Sequence, residues 1–146
     1  GLFGWSSDRT EPGGVYRVRK TETAQPLPLK IRAMESGLVI EFSEAITTSE
    51  EKLADAFQLE GWDYRYSSNY GSPRLKLGGG GEGTTQFSVA DVKLFNDDRS
   101  VHLKIEGMQP AMQMDLELSL DCGDLGQHSS SIHFTVHRLA GEGQER

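Results

Sequence analysis

The sequence predicts an all-β protein, an antiparallel sandwich of about seven to nine strands with one short helical turn. Three observations predict it. Residues 101–136 hold three runs in strict alternation: Val101, Leu103 and Ile105 against His102, Lys104 and Glu106; Met112, Met114, Leu116, Leu118 and Leu120 against Gln113, Asp115, Glu117 and Ser119; Ile132, Phe134 and Val136 against His133, Thr135 and His137. A period of two sends one set of side chains into a core and the other into water, as half-buried antiparallel strands require. Turn-forming clusters recur at short spacing between such runs, and no strand alternates with a long helix, so βαβ units are not expected.

The elements follow in order. Residues 1–14 are rich in glycine and polar residues and strand two aromatics, Phe3 and Trp5; they read as a connecting arm from a preceding domain, with those two rings as docking residues. Residues 15–20 read as a short strand and 21–28, with two prolines, as a linker. Leu29, Ile31 and Ala33 alternate with Lys30, Arg32 and Met34; a turn at Glu35-Ser36-Gly37 leads into Leu38, Ile40 and Phe42, a hairpin pattern. Residues 43–56 are the one helix-like stretch, with Ser49 as a candidate cap and Glu50 and Glu51 favourably placed in the first turn.

Residues 57–66 read as a strand with a register problem at Gly61, and 67–85, with glycines at 78–81, as loop. In the strand at 87–95 the apolar parity shifts between Val89 and Val92, which predicts a bulge near Asp91. Asn96-Asp97-Asp98-Arg99 is a turn, and the three alternating strands follow. The expected organisation is therefore an arm (1–14), a β-sandwich domain (15–139) and a flexible tail (140–146). Leu29, Ile31, Leu38, Ile40, Phe42, Leu103, Ile105, Leu116, Leu118, Phe134 and Val136 are the expected core.

The 146 residues suffice for one core without disulfides or metals, and 36% hydrophobic with 25% charged residues is ordinary for a soluble globular domain. A net charge of −7 argues against nucleic acid as a partner; the local group Arg17, Arg19, Lys20, Lys30 and Arg32 reads as a solvated face. No apolar run approaches the ~20 residues that span a bilayer, so no membrane insertion is expected.

Cys122 is the single cysteine, which excludes an intramolecular disulfide, and its neighbours Asp121 and Asp124 disfavour a thiolate. His133 and His137 share a strand face, but four residues at ~3.3 Å each separate them by ~13 Å, too far to chelate one ion. Asp97, Asp98, Asp121 and Asp124 fall in turns without a spaced calcium-binding loop. There is no G-x-S-x-G elbow, and GGGGEG lacks the Gly-Lys-Ser/Thr of a phosphate loop. The reading is non-enzymatic, with no catalytic residue, metal or cofactor.

One constellation stands out. Trp62, Tyr64 and Tyr66 recur at i, i+2, i+4 with Tyr70 nearby. Phe57 and Leu59 have the opposite parity, so two alternatives stand. Either Gly61 is a bulge that turns all three aromatics into the core, or they form an outward strip. An outward strip of Trp62, Tyr64, Tyr66 and Tyr70, with Asn69 and Arg65 as polar partners, would suit stacking on the rings of a polysaccharide.

GLVIEFSEAIT, ADAFQLEGW, NDDRSVHLKIEGMQPAMQMDLELS and GDLGQHSSSIHFTV together resemble bacterial immunoglobulin-like domains of the surface-layer type, over roughly residues 29–139. GLFGW, EPGGVYRVRKT, WDYRYSSNYGSP and IHFTVHRL resemble the region that follows sorbosone-dehydrogenase-like β-propellers in large planctomycete and verrucomicrobial proteins. Those proteins often carry cytochrome c or haem-binding modules as well. The resemblance implies an immunoglobulin-like sandwich and an extracytoplasmic location, periplasmic or secreted. It also implies an accessory role beside neighbouring domains of the same polypeptide, and it assigns redox chemistry to no residue of this chain.

Overall fold

In the computed structural model, which describes residues 15, 17–19, 24–68 and 71–141, the alternating runs become two four-stranded antiparallel sheets. The strands are β1 (Pro28–Met34), β2 (Gly37–Phe42), β3 (Phe57–Trp62), β4 (Thr85–Phe87), β5 (Val89–Phe95), β6 (Ser100–Ile105), β7 (Ala111–Asp121) and β8 (Gln127–Val136). The first sheet has the order β1-β2-β6-β5 and the second β4-β3-β7-β8. The chain changes sheet between β2 and β3, β4 and β5, and β6 and β7, which gives the connectivity of an immunoglobulin-like sandwich with an added strand beside β3.

The apolar set of each strand faces the other sheet. In the first, Leu38 pairs with Leu103 and Ile40 with Val101; in the second, Phe57 pairs with Leu118 and Leu59 with Leu116. All eight are buried, together with Phe42, Ile105, Met114 and Leu120. Burial of each large aliphatic side chain contributes about 1.5–3 kcal/mol, so these strand centres dominate stability. Ile46, Leu53 and Leu77, from outside the sheets, complete the same cluster. Ile31 and Phe134 pack against it only partly buried. No helix among the described residues is long and apolar enough to cross a membrane.

The helix-like stretch contains α1 (Glu50–Leu53) and a 3₁₀ turn (Ala54–Ala56). Ser49 sits at the cap position, yet it acts through its carbonyl, which accepts the Lys52 and Leu53 N–H groups at 3.0 and 3.1 Å; its hydroxyl makes no capping bond. Asn96, Asp97 and Asp98 form the expected turn with φ of 54°, 54° and 58°, a left-handed run that Asn and Asp tolerate better than other side-chain-bearing residues. At the β1–β2 turn Gly37 has φ 141°, and a Cβ there would lie 1.9 Å from the Leu103 carbonyl oxygen; only glycine fits.

Several expectations are corrected. Leu29, placed in the core by parity, is 69% exposed. Pro28 pairs with Phe42 and Lys30 with Glu41, so Leu29 is the extra residue of a bulge and turns outward. Residues 15 and 17–19 carry no strand pairing, and Val15 and Val18 are exposed. Of the strand expected at 87–95, residues 89–95 form β5, while Phe87 ends β4 (Thr85–Phe87) in the other sheet, so the chain changes sheet at Ser88. The bulge near Asp91 is present, between Val89 and Asp91. Ala140, assigned to the tail, is tied in: its N–H donates to Ala33 at 2.9 Å and its carbonyl accepts from Glu35 at 3.2 Å.

Candidate functional site

β3 settles the alternatives posed by its aromatics in a third way. The pairing with β7 runs without a slip from Phe57–Leu118 to Trp62–Gln113, so Gly61 is no bulge. Gly61 points inward with Phe57 and Leu59. A Cβ there would meet Phe87 at 3.1 Å, Leu77 at 3.3 Å and Ala111 at 3.6 Å, so neighbouring side chains already fill the space a larger residue would take. Trp62 consequently faces outward with Gln58 and Glu60, and the strand ends there. Asp63 and Leu75 exchange two 2.8 Å backbone hydrogen bonds, which close the loop between them off the sheet. Tyr64 and Tyr66 therefore lie past the end of the strand, and exposure separates the rings, Trp62 being covered and Tyr64 and Tyr66 exposed.

The outer face of the second sheet is a set of cross-strand rows. Gln86 of β4 stands opposite Glu60, Glu60 opposite Asp115 of β7, and Asp115 opposite His133 of β8. Two carboxylates directly opposed across a ladder repel each other unless partnered. Glu60 accepts from Arg74 Nη1 at 3.1 Å, Thr84 Oγ1 at 2.9 Å and Gln86 Nε2 at 2.6 Å. Asp115 Oδ1 accepts from Ser131 Oγ at 2.6 Å, with His133 Nδ1 3.4 Å away. Arg74 also lies over Trp62, its guanidinium carbon 4.0 Å from the ring centroid, a cation–π contact that leaves Trp62 9% exposed while outside the inter-sheet cluster.

Beside this web the face dips into two shallow depressions. One of about 420 Å³ is lined by Ala56, Gln58, Glu117, Leu118, Ser119, Ser129, Ser130 and Ser131, and one of about 140 Å³ by Gln58, Leu59, Glu60, Gln86, Asp115 and Glu117. Ser131 and His133 both address one Asp115 oxygen. The shared oxygen orients both side chains on the outer face.

Past the end of β3, Tyr66 is 96% exposed, and Tyr64 and Met112 are exposed too. The Tyr64 N–H points at Met112 Sδ at 3.4 Å, and Asp63 Oδ1 accepts the Met112 N–H at 3.0 Å. Met112 reaches the surface because the β7–β8 register shifts between Ala111 and Met114, placing two residues opposite one.

Of the residues singled out from the sequence, Trp62, Tyr64 and Tyr66 are thus separated into one covered ring and two surface rings. Arg65 is exposed, its N–H donating to Ser72 Oγ at 2.8 Å. Phe3, Trp5, Asn69 and Tyr70 lie outside the described residues. Sequence reading missed Glu60, Arg74, Thr84, Gln86 and Met112. Glu60 was visible as the residue two before Trp62, but its partners come from elements whose pairing no periodicity announces.

Cys122 is half-buried just past β7, its Sγ 3.8 Å from the Leu120 carbonyl oxygen. Among the described residues no group of three His, Cys, Asp or Glu side chains is placed to hold a metal ion. No family model matches the chain, and no curated protein or solved structure matches it significantly.

Proposed function

We propose that this domain is a non-catalytic interaction module of a larger exported protein, docking beside a neighbouring domain of the same polypeptide. The resemblance suggests a propeller dehydrogenase-like or haem-binding neighbour. One observation carries the reading: Tyr64, Tyr66 and Met112 present exposed aromatic and thioether surface from a base held by the Asp63–Leu75 and Asp63–Met112 hydrogen bonds. Tyrosine and methionine are enriched at protein contacts relative to the rest of the surface. Hydrogen exchange tests it. Amides at 63–68 and 111–113 should exchange more slowly in the polypeptide that carries the neighbouring domain than in the 146-residue chain alone. Equal exchange in both would remove the patch from the interface.

Carbohydrate binding is the second reading, favoured by the free ring of Tyr66 beside a face rich in hydroxyl, amide and carboxylate groups. Arg74 already occupies one face of Trp62, so among the described residues the platform rests on Tyr64 and Tyr66. Titration with soluble polysaccharides separates the readings: sugar binding requires heat that Tyr66→Ala abolishes, and docking requires none.

A further inference from the structure

We propose that β8 is a pairing edge for a second copy of this chain, the two β8 strands running antiparallel about a two-fold axis through Ser131. The argument starts from the sheet edges. An open strand edge is a template for another chain, and proteins blunt it with short strands, bulges, prolines, charges or a covering element.

Three of the four edges here are blunted in these ways. β1 begins with Pro28, bulges at Leu29, carries Lys30 and Arg32, and is bonded at its far end by Ala140. β5 bulges between Val89 and Asp91, carries Asp91 and Lys93, and has its Leu94 N–H taken by the Glu50 carboxylate of α1 at 2.7 Å. β4 is three residues long. β8 lacks these devices along most of its length, its one irregularity being the register shift against β7 past Phe134. Its ten residues, QHSSSIHFTV, include no proline and no Asp, Glu, Lys or Arg, and its pairing with β7 is unbroken from Gln127 to Phe134. No β-bridge among the described residues engages its free side.

Charge selects the occupant. The chain carries −7, so two copies repel over most approaches. β8 is a long strip of the sheet edge without a carboxylate, although the neighbouring strand holds Asp115, Glu117 and Asp121. A two-fold axis through Ser131 sets Ser129 opposite the second copy's His133 and Gln127 opposite its Thr135 on the outer face. On the inner face it sets Ser130 opposite Ile132 and His128 opposite Phe134. No carboxylate meets a carboxylate in these pairs. Ile132 and Phe134, half-buried at the rim of the core, gain cover from the second strand. The product is one eight-stranded sheet with the polar rows of both copies on one side. A single strand pair buries less than a standard interface, so the dimer is weak, micromolar or weaker.

Sedimentation velocity of the 146-residue chain over a concentration series should show mass rising from one copy toward two. Ser129→Lys with His133→Lys changes only outward positions and opposes lysine to lysine across the axis. It should weaken the dimer tenfold or more while leaving the circular dichroism spectrum intact. Ser129→Glu with His133→Lys opposes glutamate to lysine in the same register and should restore or tighten it. Hydrogen exchange in the dimer should slow at residues 127–136. The proposal is overturned by a monomer at every concentration, even one whose β8 pairs with an extended peptide of another protein. It is equally overturned by a dimer that both variants leave unchanged, or by one whose protection falls on residues 15–20 or another edge.

Discussion

The two sheets offer each other equivalent inner faces and turn opposite exteriors to solvent. Outside the first sheet lie Lys30, Arg32, Lys93 and Lys104, relieved by Glu41 and Asp91; outside the second lie Glu60, Asp115 and Glu117, relieved by Arg74. The first exterior is held loosely. Its Lys30–Glu41 ion pair is 3.6 Å long with both side chains about half exposed. On the second, one carboxylate gathers three donors, one of them a cation that also covers an indole. Equal cores with unequal exteriors separate what folds the domain from what it presents: packing is shared between the sheets, and organised surface chemistry belongs to the second.

The largest effect should come from breaking the shared part. Leu118→Asp puts a carboxylate between the sheets with no partner, and a domain of ordinary stability, about 5–15 kcal/mol, should lose its β-sheet circular dichroism at 25 °C. Equivalence of the two inner faces is tested by Leu103→Ala against Leu116→Ala. Both residues are fully buried at strand centres, and each should cost about 2–5 kcal/mol in urea unfolding. Costs at opposite ends of that range would show that one sheet holds the core more tightly.

Gly61→Val probes the position where inner packing decides the outer site. The added methyls meet Phe87 and Leu77, and overpacking should lower stability by about 1–3 kcal/mol. Smallest are the surface pairs, where the exteriors should part company. Arg74→Ala should cost about 0.5–1 kcal/mol and, in a Trp5→Phe background, shift Trp62 emission to the red as the indole is uncovered. Lys30→Ala should change stability by less than ~0.5 kcal/mol. Unchanged emission in Arg74→Ala would mean that the guanidinium does not shield the ring.

The strands were legible because alternation is a local property. Leu38, Ile40, Leu103, Ile105, Leu116 and Leu118 announce their inward face with no knowledge of the partner strand, and all six are buried. Leu29 obeys the same alternation and fails, because a bulge is a relation between two strands and β1 alone does not record it. Ser88 is a second case. One apolar run crosses from sheet to sheet there, and hydrophobicity is equally satisfied on either side of a common core. At the site, the sequence flagged Trp62 but could not choose its direction; the register of β3 on β7, together with Phe87 and Leu77 filling the space at Gly61, made the choice.

What the sequence determined by itself is the element type, the inward set and the all-β class, since backbone period and side-chain polarity act residue by residue. The tertiary structure alone decided three things: that Glu60 and Asp115 stand opposed and need their donors, that Arg74, at the far end of the loop following β3, lies over Trp62, and that β8 is the one long edge left open among the described residues. Each is a property of pairs of segments, set by strand register and loop closure. The energy separating alternative pairings comes from contacts that exist only once the sheets have formed.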